Sequence, residues 1–182
     1  MTHPDDDFEF DDYPQDADDE EIDTGDQEAL VWNLLSLINP GDEESALRQF
    51  SLWRDGMGAA GGDESQWLPV LSEAIDWSAG FHVDWKDTES LVDSIGQLAS
   101  RWNIDIDWGG DTSDDDFLDG VDVPALMAVA YDRLREHGYT LWNWNTDGDA
   151  YAGWIALSRD DEAMQQLCMA LGVEIRPASD AF

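Results

Sequence analysis

The chain has 182 residues with 43 acidic side chains against eight basic ones, a formal net charge of −35, and 42% apolar residues including ten tryptophans. That length and apolar content allow a proper core, so a chain disordered throughout is excluded despite the charge. A field of this sign repels nucleic acid and anionic membrane surfaces and attracts basic proteins and cations, so the expected partner is a basic protein, with no direct nucleic-acid or membrane binding.

Residues 1–26 read as a disordered acidic tail: the first 28 positions carry 14 acids, and Pro4 and Pro14 discourage regular structure. Phe8, Phe10 and Tyr13 lie among those carboxylates and would fold onto a basic groove if a partner supplied one. The N-terminus lacks a positively charged segment followed by an apolar run, and no stretch reaches the roughly 18 apolar residues of a membrane span, so the expected location is the cytoplasm.

Residues 27–182 read as one α+β domain. Leu30, Val31, Leu34, Leu35, Leu37 and Ile38 make a helix that is apolar almost all round, and hence buried, and Asn39-Pro40-Gly41 stops it. Asp42 caps a second helix burying Ala46, Leu47, Phe50 and Trp53, which the glycines at 56–62 end. A third helix over 65–77 carries Trp67, Leu68, Leu71, Ala74 and Ile75 on one stripe. These three form a helical N-terminal layer.

The period then falls to two at residues 81–85, returns to helical through Leu91, Val92, Ile95, Leu98, Ala99 and Trp102, and falls to two again at 104–108. The spacing predicts a strand, helix, strand unit whose strands repeat one theme, Val83-Asp84-Trp85 and Ile106-Asp107-Trp108. Side by side, their acids would share a face. An acidic loop over 109–120 leads to a helix opened by Asp122 with Pro124 in its first turn and closed by Gly138. Strands over 139–144 and 151–157 make a hairpin turning near Asp147-Gly148, Ser158 caps a last helix, and 173–176 make a final strand. The expected architecture is the helical layer packed on a mixed sheet of about five strands containing this C-terminal hairpin.

In the C-terminal third, Tyr139-Thr140-Leu141-Trp142-Asn143-Trp144-Asn145-Thr146, then Asp149, Tyr151 and Trp154, followed by the last helix and terminal strand, resembles an uncharacterised family of bacterial domains over about 45 residues. The resemblance implies a bacterial origin and brings no activity with it. In size, acidity and mixed fold the chain is also similar in general character to immunity proteins that neutralise bacterial toxins.

Asp105, Asp107, Asp111, Asp114, Asp115, Asp116 and Asp119 place seven carboxylates within 15 residues. Like charges this close cost stability, which a sequence tolerates when the charge meets a Lys/Arg-rich surface or a cation. Together with Asp84 they form the expected partner-binding face, and Trp142 and Trp144, on one face of the hairpin, are candidate aromatic anchors, because guanidinium groups stack on rings as well as pairing with acids. A calcium loop at Asn145-Thr146-Asp147-Gly148-Asp149 would need glycine at its sixth position and glutamate at its twelfth, where Ala150 and Ala156 stand, so neither metal nor cofactor is expected.

His3, His82 and His137 are scattered, the single cysteine, Cys168, reads as a core residue, and no phosphate loop, Cys-x-x-Cys or His-Glu-x-x-His occurs. No catalytic residue is therefore assigned and no enzyme is expected. The leading expectation is an acidic inhibitor or immunity-type protein covering the basic groove of a toxin or nuclease. The alternatives are a nucleic-acid mimic acting on a DNA-binding protein, and a halophile-type acidity that carries no functional information.

Overall fold

The computed structural model describes residues 24–182. The expected tail lies outside the described residues except at positions 24–26, which already belong to the first helix. Helices α1 (Thr24–Ile38), α2 (Glu43–Ala59) and α3 (Trp67–Ala79) come first, followed by strand β1 (Gly80–Asp84) and helix α4 (Thr88–Ser100). A short helix α5 (Asp115–Asp119), α6 (Val123–Glu136), the hairpin β2 (Tyr139–Trp144) and β3 (Ala150–Leu157), α7 (Asp161–Ala170) and β4 (Ile175–Pro177) complete the order.

The sheet runs β1-β3-β2-β4 and every neighbouring pair is antiparallel, with Trp142 opposite Trp154 and Asn143 opposite Gly153 in the hairpin. The α+β class and the C-terminal hairpin hold, but the sheet has four strands where about five were expected, and it is not mixed. The missing strand is 104–108. Its alternation is real, since Ile104 and Trp108 are buried and Asp105 and Asp107 exposed, yet the segment pairs with no strand and lies as an extended strap on the α4–α6 layer. Period-two burial needs only an extended chain on an apolar surface; a hydrogen-bonded neighbour is a separate requirement.

The sheet separates two cores. On one face Trp142, Trp144, Trp154, Ala152 and Ala156 pack against α1, α2, α3 and α7. On the other, Phe81, Val83, Leu141 and Ile155 pack against α4, α6 and the strap. The N-terminal helical layer is therefore joined by α7, and a second helical layer covers the opposite face. Close packing of the hairpin fixes Gly153: a Cβ there would lie 1.9 Å from the Trp142 carbonyl oxygen.

Local chemistry sets the helix ends. Asp42, Asp87 and Asp122 each accept a hydrogen bond from the backbone N–H three residues on, satisfying otherwise unpaired first-turn donors. Ser158 does not cap α7; it opens a single 3₁₀ turn, Ser158–Asp160, and α7 starts at Asp161. Asp161 instead accepts from Arg135 Nη1 (2.7 Å) and Thr140 Oγ1 (2.6 Å), tying α7 to α6 and β2.

A polar relay, buried at Asn39 and Gln49, joins the first three helices. Asn39 Nδ2 donates to the Leu35 carbonyl and to Gln49 Oε1 (2.7 Å), and Gln49 Nε2 donates to Ser78 Oγ (3.1 Å). Ser78 lies just past a break in α3, where Asp76 has φ 34° and ψ −143°. The relay thus holds the strained turn that lets α3 run into β1.

Candidate functional site

The hairpin loop, residues 145–149, and the end of β1 meet at one end of the sheet. Asp84 stands opposite Ala150, and the Trp85 N–H donates to the Asp149 carbonyl at 2.9 Å. Asn145 Oδ1 accepts from the Asp147 N–H and Thr146 Oγ1 donates to the Ala150 carbonyl, while Asp147 takes a left-handed φ of 55°. The oxygen-rich residues that imitate the opening of a calcium loop are thus spent on a five-residue hairpin turn. Among the described residues, no group of three or more His, Cys, Asp or Glu side chains is placed to hold a metal ion.

Between this loop, Trp85, Tyr151 and Phe182 opens a cleft of about 690 Å³, rimmed by Asp147 and Asp149. Trp85 is 48% exposed, a large apolar ring left in solvent beside carboxylates. Two of the cleft's rings already hold cations of the chain itself: Lys86 Nζ sits 4.5 Å from the Trp85 ring centroid, and the Arg176 guanidinium sits 4.3 Å from that of Phe182. A ring face near a carboxylate rim is chemically suited to ammonium and guanidinium groups.

The expected partner-binding residues divide three ways. Asp84 lies at this sheet end. Asp114, Asp115, Asp116 and Asp119 cap or form α5, which is held to the start of α4 by a hydrogen bond from Thr88 Oγ1 to the Leu118 carbonyl, so they extend the same acidic end, with Asp111 in the turn leading to them. Asp105 and Asp107 belong elsewhere. They lie on the strap, where the Asp107 carbonyl accepts from Arg133 in the last turn of α6, toward the opposite end of that helix from α5.

Several of these acids also have plain structural duties: Asp84, Asp107, Asp111 and Asp114 accept from the N–H two residues on, at Lys86, Gly109, Ser113 and Asp116. Trp142 and Trp144 are not anchors. They are 2% and 5% exposed and are covered by the α1–α3 and α7 layer. Their face of the hairpin is the core face, because a two-sided sheet leaves no strand face in water. Alternation along β2 separates the two sides of the strand but cannot say which side a helix covers. The exposed ring beside the acids is Trp85, one residue past β1. The repeated Asp-Trp theme drew attention to it without separating it from its counterpart: Trp108 is buried and Trp85 is not.

The eight basic side chains do little to interrupt the negative surface. Arg54, Arg133, Arg135, Arg159 and Arg176 each lie within 4.0 Å of a carboxylate, Arg48 donates to Ser45 Oγ, and Lys86 covers Trp85. Arg101 is drawn inward, donating to the Leu98 and Ile38 carbonyls over the Trp102 ring, and burial lowers its pKa to about 10. Cys168 lies in the core, where burial pushes its thiol up to about 12, so it is an inert packing residue. No helix among the described residues is long and apolar enough to cross a membrane.

The class of protein is thus a four-stranded antiparallel sheet between two helical layers, with an acidic end carrying an aromatic cleft. A family model described as a domain of unknown function (DUF6630) matches residues 30–178, and the chain belongs to that family. The match covers both helical layers and the whole sheet, well beyond the C-terminal third that carries the sequence resemblance. No curated protein and no solved structure matches.

Proposed function

We propose that the protein is an acidic binding protein that captures a cationic protein partner at the acidic end of its sheet, most concretely an inhibitor or immunity-type protein covering the basic groove of a toxin or nuclease in a bacterial cytoplasm. The observation that carries this reading is the half-exposed Trp85 in a carboxylate-rimmed cleft, its face already occupied by a lysine. An arginine or lysine of the partner would replace Lys86 on the ring and pair with Asp147 or Asp149, while Asp84 and the acids of α5 widen the field that steers it in. Aromatic anchors supply lasting contact, and the charge supplies speed. The role is one of binding, without a catalytic residue.

A nucleic-acid mimic is the second reading, and the placement of charge favours it. Only 12 of the 43 acids precede residue 24, so 31 acids and all eight bases belong to residues 24–182. Most of the excess therefore belongs to the folded residues, as imitation of a phosphate backbone requires.

The test is co-purification of the tagged chain from its host at low and high salt. The expected result is one basic protein in near-equal amount, lost when Asp147→Lys and Asp149→Lys are combined with Trp85→Ala. Recovery of a diffuse set of basic proteins that salt washes away, or of none, would end the specific-partner reading. A recovered DNA-binding protein whose capture survives the cleft variant but fails on charge reversal along α5 would favour the mimic.

A further inference from the structure

The ladder between β1 and β3 continues one step past the two strands. Asp84 stands opposite Ala150, so the next pair in register is Trp85 and Asp149, and the Trp85 N–H donates to the Asp149 carbonyl at 2.9 Å. Residues paired across antiparallel strands share a face, with Cβ atoms about 5 Å apart. A half-exposed indole and an exposed carboxylate are therefore held side by side by the backbone, and both line the cleft. Asp84, Asp107, Asp111 and Asp114 spend their carboxylates on N–H groups of their own turns. Asp147 and Asp149 differ: their backbone groups make the turn, and among the described residues no hydrogen bond or ion pair reaches either carboxylate. The ring, by contrast, is in use, with the Lys86 ammonium 4.5 Å from its centroid.

We propose that the cleft selects arginine over lysine, its occupant being a guanidinium group of the cationic partner; the inference rests on the capture reading above. Exchange decides between the two side chains. An incoming ammonium meets a ring that already holds a tethered ammonium, so it repeats that contact and brings only a point charge to the carboxylates. A guanidinium does more: planar and weakly hydrated, it lies flat on the indole and forks two N–H groups onto a carboxylate beside it. Trp85 and Asp149 present those two surfaces at one register position, and Asp147 on the rim offers a second carboxylate. The chain contains its own precedent in Arg176, whose guanidinium lies 4.3 Å from the Phe182 ring centroid while Nη2 is 3.6 Å from Glu174 Oε1. A ring and a carboxylate thus already clasp one guanidinium at the edge of this cleft, since Phe182 is among its walls.

Nuclear magnetic resonance titration of the full chain with an acetylated, amidated glycine-arginine-glycine peptide and with its lysine counterpart tests this. Each peptide carries a single positive charge, so the field of the protein draws both equally and the ratio of affinities reports contact alone. The arginine peptide should shift the Trp85 indole N–H, identified by its loss in Trp85→Leu, together with the amides of 147–151, and should bind at least about fivefold more tightly. Lys86→Ala should tighten both peptides by a common factor, whereas Trp85→Leu and Asp149→Asn should each bring the ratio close to one. Equal affinities, no binding of the arginine peptide at the cleft, or a preference that survives Trp85→Leu would overturn the assignment. Those outcomes leave capture of a cationic partner by charge standing, because co-purification tests it separately. Failure to recover a partner ends that reading without altering the peptide ratio.

Discussion

Two surfaces of the molecule are opposites. The sheet end bearing Trp85, Asp147, Asp149 and α5 concentrates carboxylates around an exposed ring, whereas the α1–α7 face has none across two neighbouring runs of sequence. A chain acidic merely for solubility would spread its charge over every exposed helix face. Here acids are dense where extended chain and loops meet and absent where two helices lie open, which teaches that total charge is a poor guide and its distribution a good one. The acidic end can be broken without touching the uncharged face.

The largest effect should come from the shared frame. Trp142→Ala removes a ring packed between the sheet and α1–α3, at a cost of about 3–5 kcal/mol. Chemical denaturation should show it, and capture should fall with stability. Next, Asp147→Lys with Asp149→Lys should weaken partner binding by about a hundredfold, the scale of placing like charges against a cationic surface, measured by titration calorimetry.

Smaller again is Asp87→Ala, which removes the α4 cap beside the cleft and should cost about 1 kcal/mol at neutral pH. The hydroxyl and N–H of Ser90 hold the Asp87 carboxyl below its ordinary 3.8. Because the folded value is the lower one, the cap's contribution is complete above pH 3.8 and is lost as pH falls below it, so wild type and variant should converge in acid. The smallest expected change is a gain. Lys86→Ala uncovers the Trp85 face, and capture should tighten about two- to fivefold, the worth of an exposed cation–ring contact.

Much of the fold was legible because local signals agreed. Apolar spacing, the capping aspartates at 42 and 122, Pro124 and the alternation in 139–144 each pointed to the element that forms. Ile104 to Trp108 was misassigned because burial alternates in any extended chain laid on a core, and strand pairing depends on neighbours far along the sequence. Trp142 and Trp144 were misplaced as anchors for a related reason: which face of a hairpin receives a helix is decided by α1 and α3, some sixty or more residues before it, together with α7, which follows it.

The acidic segment was visible in composition, but its division into a strap and a sheet-end cluster follows from the direction of α4 and α6. Trp85 was visible as half of the repeated Asp-Trp theme but not as an exposed ring, because nothing local separates an exposed ring from a buried one.

The central claim is that the acidic sheet end captures a cationic protein by steering and then anchoring it. The most direct measurement is the association rate of the co-purified partner by stopped-flow across a salt series, using Trp85 fluorescence, for wild type and for Asp147→Lys with Asp149→Lys. A wild-type rate that falls steeply with salt, set against a slow and nearly flat rate for the variant, is the predicted result. Equal rates for the two proteins, or a wild-type rate indifferent to salt, would contradict it.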